Sequence, residues 1–310
     1  MTKQFNLGIG LNTTKKQEAQ TTELGNTRLS AIQEITERLI VFLRRKASEI
    51  RALVVQMISN AESGHIGGCF SAADLLTVLY YYKMQIDYTN CFWENRDRFI
   101  LSKGHSAPLL YSILIDLGIL EKTEINSLRR VNSRLQGHPN ILTTPGVDIS
   151  SGSLGMGISV GCGMALAAKL DNKNYKTYVL LGDGELQEGQ NWEAVMTASH
   201  YQLDNLIVIV DKNNLQTDSP VKSVINSGEI TDQFKAFDWN VIEIDGHNIR
   251  EILHAFNLID LAHGKPTVII AETCKGKGVS FMENNPIFHG NPPSREEVLQ
   301  AIEELSNDAC

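Results

Sequence analysis

The chain has 310 residues, of which 42% are apolar and 21% are charged, enough apolar material to bury a substantial core. Its 28 basic and 36 acidic residues give a formal net charge of −8, so we expect neither nucleic acid nor an anionic membrane as a partner. The five cysteines share no CxxC spacing, so neither a disulfide framework nor a zinc site is indicated.

The first segment, residues 1–27, is polar and largely aperiodic. It lacks the basic start and long apolar core of a secretory signal, and we expect a flexible arm, with order beginning near Leu29. No run in the sequence reaches the roughly 18 apolar residues of a membrane span, which favours a cytoplasmic protein. Residues 28–310 contain no linker that would divide them, so we predict a single domain there.

Apolar residues from Leu29 to Ala61 recur at three- and four-residue intervals, which predicts one bent helix or two successive helices. The stretch "SAADLLTVLYYYK" predicts another helix, in which Ser71 and Asp74 have nearly the spacing of a capping box. The stretch "RFILSKGHSAPLLYSILIDLGIL" predicts a strand, a glycine loop and a helix.

A glycine-rich helix is predicted from "SGSLGMGISVGCGMALAAKL". Gly157, Gly161 and Ala165 stack on one side of it, where another backbone can approach closely. After this helix the chain alternates short strands rich in Val and Ile with helical stretches: "KTYVLLG", "NLIVIVD", "WNVIEID" and "PTVIIA". This alternation predicts an α/β fold, with a parallel sheet covered by helices on both faces.

Polar residues follow two of these strands where each strand ends. Asp183 stands between two glycines after "YVLLG", and Asn213 follows "IVIVD". Ligands of such sheets collect at the carboxyl ends of the strands. Carboxylate and amide oxygens suit Mg²⁺ or Ca²⁺, and Mg²⁺ keeps phosphate oxygens among its ligands. Two unrelated tight turns would have the same local sequences, but the spacing between the Asp183 and Asn213 motifs favours one shared site.

The GDG sequence, a helix, a strand and then NN resemble the fingerprint of enzymes that use thiamine diphosphate. By that resemblance Asp183, Asn213 and the carbonyl of Leu215 hold the metal ion that anchors the diphosphate. The implied ion is Mg²⁺, with Ca²⁺ as a substitute. The resemblance also implies the thiamine diphosphate-binding fold.

Four histidines lie in glycine-containing loops: His65 in "SGHIGG", His105 in "SKGHSAP", His138 in "QGHPN" and His289 in "FHGNP". Each alone is compatible with an ordinary structural histidine. Together they favour a site for a polyol, which needs several donors and acceptors at once. These motifs, with "SSGSLGMG" between them, resemble the amino-terminal half of transketolase.

The resemblance implies roles for single residues. His65 and His289 would bind the donor ketose and help to remove the proton of its C3 hydroxyl, whereas His105 and His138 would hold its C1 hydroxyl near the thiazolium. Lys275 would meet the phosphate end of the cofactor. The implied cofactor-binding set is His105, Gly152, Leu154, Asp183, Gly184, Glu188, Asn213, Lys275 and His289, with Glu188 also at a contact between subunits.

A full transketolase chain continues into a pyrimidine-binding domain and a third domain, whereas this sequence ends at Cys310. We expect the glutamate that activates the aminopyrimidine, and most of the sugar phosphate pocket, to come from a second polypeptide. The resemblance then implies an α2β2 heterotetramer that transfers a two-carbon ketol unit from a ketose phosphate to an aldose phosphate, as in the pentose phosphate pathway. The glycine stripe at Gly157 is a candidate contact between the chains.

Other functions remain open from the sequence. The alpha chain of a 2-oxo-acid dehydrogenase carries GDG and NN too, but its chemistry does not require a row of hydroxyl-binding histidines. Deoxyxylulose-phosphate synthase normally keeps all its domains in one chain. A split transketolase acting on an unusual sugar phosphate fits equally well, and a non-catalytic cofactor-binding scaffold is the non-enzymatic alternative.

Overall fold

The computed structural model describes residues 23–217 and 219–308 of the chain. The predicted arm therefore lies outside the described residues up to position 22 and stays a prediction, while the first helix begins at Glu23 rather than near Leu29. The helices are α1 Glu23–Ala61, α2 Ile66–Ser71, α3 Ala73–Val78, α4 Ala107–Asp116, α5 Gly157–Leu170, α6 Gly189–His200, α7 Val221–Val224, α8 Ile230–Ala236, α9 Ile249–Leu258 and α10 Arg295–Asp308.

All strands that the structure describes run parallel in one sheet, in the order β1-β2-β3-β5-β4. In the centre of the sheet Leu180 lies opposite Ile209, which lies opposite Ile269. The strands are β1 Arg98–Leu101, β2 Thr177–Gly182, β3 Leu206–Lys212, β4 Asn240–Asp245 and β5 Thr267–Glu272. The predicted parallel α/β architecture is confirmed.

Helices cover both faces of the sheet, as its continuous apolar strands require. Tyr178 and Leu180 of β2 pack into the core that α1, α3, α4, α9 and α10 form. The alternate residues Val179 and Leu181 pack into a second core with α5, α6 and α8. No helix in residues 23–217 and 219–308 is long and apolar enough to cross a membrane.

The glycine stripe of α5 packs against the sheet of its own chain. A Cβ on Gly161 would lie 2.8 Å from Val179 and 3.1 Å from Leu206, and one on Gly157 would lie 2.4 Å from the Cβ of Ser102. The small residues therefore let α5 sit close to β1 and β2. The prediction that this stripe contributes to a contact between chains is wrong.

The predicted capping box is also wrong. Ser71 is the last residue of α2, and Ala72 occupies the N-cap position of α3 without a side-chain bond. The Ser71 hydroxyl instead donates to Oδ2 of Asp211, 2.6 Å away at the end of β3. Asp74 forms an ion pair with Arg51 of α1. Both polar side chains thus connect elements that are distant in the sequence.

Candidate active site at the carboxyl edge of the sheet

A cavity of about 440 Å³ lies where β1, β2, β3 and β5 end. This is the edge at which ligands of parallel α/β sheets bind. Every site residue that the sequence suggested lines this one cavity: His65, His105, His138, Gly152, Leu154, Asp183, Gly184, Glu188, Asn213, Leu215, Lys275 and His289. The structure therefore brings the predicted set together, whereas the individual roles stay predictions.

The carboxylate of Asp183 is held by backbone amides at the end of β2. Its Oδ1 accepts the N–H of Gly184 at 2.9 Å, and its Oδ2 accepts the N–H of Asn214 at 2.7 Å. The side chain is 5% exposed. Burial and the neighbouring negative charge of Asp211 raise the pKa of Asp183 to about 6, so a cation at this point would stabilise the carboxylate.

Asn213 and Leu215 place two neutral oxygens beside Asp183, at the end of β3. The Asn213 amide nitrogen donates to Oδ2 of Asp211 at 3.2 Å, which fixes its orientation. Its Oδ1 accepts the N–H of Leu215 at 3.1 Å and keeps a second lone pair. The carbonyl of Leu215 accepts a hydrogen bond from Lys275 at 3.1 Å.

Three imidazoles form a triangle in the cavity. The ring centroids of His65 and His105 are 5.1 Å apart, those of His65 and His289 are 5.3 Å apart, and those of His105 and His289 are 5.6 Å apart. Burial, followed by the charge of Arg129, lowers the pKa of His65 and of His138. Uncharged imidazoles near neutral pH can accept protons or hydrogen bonds from hydroxyl groups.

Lys275 supplies a buried positive charge and is 2% exposed. Its Nζ lies 3.1 Å from the carbonyl of Leu215, 3.0 Å from that of Gln216 and 2.8 Å from Nδ1 of His289. Burial and the positive charge of Lys103 lower the pKa of Lys275 to about 8. An anion in the cavity would provide a stronger partner than neutral carbonyls.

A family model for the thiamine diphosphate binding domain of transketolase matches residues 43–309 of this sequence. The chain belongs to the transketolase family. It is 40% identical over 264 residues to the A subunit of apulose-4-phosphate transketolase from Phocaeicola vulgatus, covering 85% of this chain and 94% of that protein. It is 39% identical over 268 residues to 6-deoxy-6-sulfo-D-fructose transketolase subunit SqwG of Clostridium sp., covering 86% and 98% respectively.

The solved structure of Campylobacter jejuni transketolase has the same fold, with a TM-score of 0.80 and 35% identity. That comparison covers 85% of this chain but 42% of the other. The chain therefore spans nearly the whole of the two transketolase subunits and less than half of the Campylobacter transketolase. The predicted family and the thiamine diphosphate-binding fold are confirmed.

The residues of this transketolase domain fit a diphosphate together with a divalent cation. Asp183, Asn213 and Leu215 present carboxylate, amide and carbonyl oxygens, the hard ligands that Mg²⁺ and Ca²⁺ prefer. The Oε1 atom of Gln216, which lines the cavity, is buried without a hydrogen-bond partner among the described residues. A Cβ on Gly184 would lie 2.9 Å from that atom, so glycine keeps this space open.

A buried ion pair beneath the cavity was missed by the sequence reasoning. Nζ of Lys103 contacts the carboxylate of Asp211 and donates to the carbonyl of Gly68 at 2.7 Å. Because Asp211 also accepts from the Asn213 amide, the pair supports a candidate metal ligand. The available signals were a carboxylate closing an apolar strand and the lysine inside "SKGHSAP".

Glu185 is a second missed residue, directly after the GDG sequence. Its Oε1 accepts the N–H of Gly155 at 2.9 Å and its Oε2 accepts the N–H of Gly182 at 3.2 Å. Burial raises the pKa of this carboxyl, which is 4% exposed. Glu185 thus ties the loop of Gly152 and Leu154 to the end of β2.

Proposed function

We propose that this chain is the thiamine diphosphate-binding subunit of a two-chain transketolase. Its partner would carry the pyrimidine-binding domain, and two copies of each chain would form an α2β2 assembly. The observation that carries the proposal is the single cavity at the sheet edge, which combines the Asp183 and Asn213 oxygens with three clustered imidazoles. The near-complete coverage of two relatives named as transketolase subunits supports the two-chain arrangement.

The diphosphate end of the cofactor would lie at the ends of β2 and β3. Asp183, Asn213 and the Leu215 carbonyl would hold Mg²⁺, with Ca²⁺ as a substitute, and Lys275 would bind phosphate oxygens. Thiamine diphosphate, when bound, supplies the electron sink that allows a ketose to break between C2 and C3. The amides that hold the Asp183 carboxylate keep it in place for the metal ion.

The histidines would bind and orient the donor sugar. His65 and His289 would bind the donor and help to remove the proton of its C3 hydroxyl, which His65 can accept because its lowered pKa leaves the imidazole neutral at physiological pH. Nδ1 of His65 is buried without a hydrogen-bond partner in the described residues. His105 and His138 would hold the C1 hydroxyl.

A second space of about 620 Å³ adjoins the cavity and shares His65, Thr217 and His289 with it. Its other lining residues are Pro286, Ile287, Gly290 and Asn291, and no lysine or arginine lines it among the described residues. This chain thus offers hydroxyl-binding groups to the substrate, and the partner would bind its anionic end. Sugar phosphates are the proposed substrate class, with branched or sulfonated sugars supported by the names of the relatives.

The proposal is tested with the purified chain and the product of the reading frame immediately downstream. With thiamine diphosphate and Mg²⁺, we expect ketol transfer from xylulose 5-phosphate, apulose 4-phosphate or 6-deoxy-6-sulfofructose to an aldose phosphate only when both chains are present. Formation of the carbonyl product that has lost two carbons is measured by mass spectrometry.

Each alternative has its own outcome in this experiment. Full activity of the chain alone would contradict the two-chain arrangement. Release of CO₂ from a 2-oxo acid by the pair would favour the dehydrogenase. A pair that binds the cofactor but transfers no ketol unit from any sugar would favour the scaffold.

A further inference from the structure

A buried polar network lies behind the loop that carries Lys275. Nη2 of Arg51 in α1 lies 2.6 Å from Oδ2 of Asp74 in α3, and its Nη1 lies 3.2 Å from Oδ1. The two side chains are 3% and 8% exposed. A buried ion pair gains little stability over an apolar pair of similar size. The role of this pair therefore lies in its contacts with other groups.

His247 connects this ion pair to the loop. Its Nδ1 lies 2.8 Å from Oδ2 of Asp74, and its Nε2 lies 2.8 Å from the backbone nitrogen of Cys274. Because a backbone N–H can only donate, Nε2 must be the acceptor and Nδ1 must carry the hydrogen that Asp74 accepts. The Asp74 carboxylate therefore fixes the tautomer and the orientation of the ring.

The loop is also held on the other side of Lys275, at Gly276. The N–H of Gly276 donates to the carbonyl of Gly67 at 3.1 Å. Gly276 has a φ of +83°, and a Cβ there would lie 2.1 Å from the carbonyl oxygen of Met282. The bond from Cys274 to His247 and the bond from Gly276 thus hold the backbone on both sides of Lys275.

We propose that His247, held by Asp74 and Arg51, is a positioning residue that fixes the Lys275 backbone and so presents its ammonium group to an anionic diphosphate. None of these three supporting residues lines the cavity. The identity of the anion rests on the proposed function, whereas the hydrogen bond to Cys274 does not. His247 would therefore act on the anion through Lys275 alone.

Two amide variants separate the two bonds of His247. An asparagine is long enough to replace Nδ1 and contact Asp74 but too short to reach the Cys274 amide. A glutamine carries its amide about as far out as Nε2 and can accept that N–H. His247→Asn and His247→Gln are thus matched in chemistry and differ in reach.

The first readout is hydrogen exchange of the Cys274 amide in the full chain without ligand. We expect faster exchange in His247→Asn and near wild-type exchange in His247→Gln, because an amide that loses its acceptor is less protected. Unchanged exchange in His247→Asn would overturn the proposal. This readout does not depend on the identity of the anion.

The second readout is the affinity of the chain for inorganic diphosphate with Mg²⁺, measured by calorimetry. We expect His247→Asn to weaken binding about tenfold, as for other residues that support a ligand-binding side chain, and to cause no further loss in a Lys275→Met background. The same tenfold loss in that background would overturn the proposal. A wild-type chain that binds no diphosphate even when paired with its partner would contradict the proposed function instead, and hydrogen exchange would then decide the role of His247.

Discussion

The imidazole of His105 lies among several groups that disfavour its positive charge. Burial lowers the pKa of His105 most, and the charge of Lys103 adds to it, so that the pKa falls to about 2. The folded pKa is below the value near 6.5 of an unfolded histidine. This site therefore contributes stability above about pH 6.5, which is lost as the pH falls below that value and the unfolded state takes up a proton.

His105 should stay uncharged in the folded chain from pH 8 down to about pH 5. The measurement is a two-dimensional NMR titration of the histidine ring nitrogens, with His105→Gln used to assign its signals. The same chain unfolded in urea serves as the control, in which the residue should titrate near pH 6.5. A folded-state midpoint of His105 above pH 6 would contradict the buried, cation-flanked site.

Single residues of the site were predictable to the extent that they belong to compact motifs. Asp183 and Asn213 follow apolar strands, so the topology of a parallel sheet brings them to one edge. The Lys103 pair with Asp211 joins positions that are 108 apart in the sequence. The local patterns mark Asp211 and Lys103 as unusual polar residues, but they do not show that the two pair with each other, and the same holds for His247 and Asp74.

The position of helix α5 on the sheet depends on a glycine, which has no side chain to keep the helix away. Gly161 lies against Val179 of β2 and Leu206 of β3, with no space for a methyl group. Gly163, two positions later, would have nothing within 4 Å of a Cβ added to it. The two glycines have the same helix propensity, but Gly161 is tightly packed whereas Gly163 has open space where a side chain would lie.

Gly161→Ala should therefore destabilise the chain by about 1–2 kcal/mol, because overpacking outweighs the gain in helix propensity. Gly163→Ala on the same helix is the matched control and should stabilise the chain by up to about 1 kcal/mol. Urea unfolding of the isolated chain gives both values. Equal effects of the two substitutions would show that α5 does not pack on the sheet through Gly161.

The strands and most helices were predictable because apolar runs and helical periodicity are local properties of the sequence. Which element packs against a helix face is not determined by the local sequence. The stripe at Gly157, Gly161 and Ala165 indicates close packing, but its spacing is the same whether a sheet or another chain provides the contact. Ser71 was misread for a similar reason, since its acceptor lies on a distant strand.

At the scale of the whole molecule, apolar side chains at the cavity are exposed to solvent. Leu154, which lines the cavity, and Met156, two residues further along, are 39% and 44% exposed. The chain covers 42% of the Campylobacter transketolase but 94% of the Phocaeicola transketolase subunit. Both facts support an active site that two polypeptides complete.

The most direct test of the account is the affinity for thiamine diphosphate of the chain paired with its partner, measured by titration calorimetry with Mg²⁺. Asp183→Ala should weaken binding at least about a hundredfold, because it removes the charged ligand of the metal ion. Asp232→Ala, which removes an exposed carboxylate on α8, is the control for charge and should bind like the wild type.

In the wild-type pair, chelation of the metal ion should weaken cofactor binding to a similar degree, and added Mg²⁺ or Ca²⁺ should restore it. Unchanged thiamine diphosphate affinity in the Asp183→Ala pair would contradict the account.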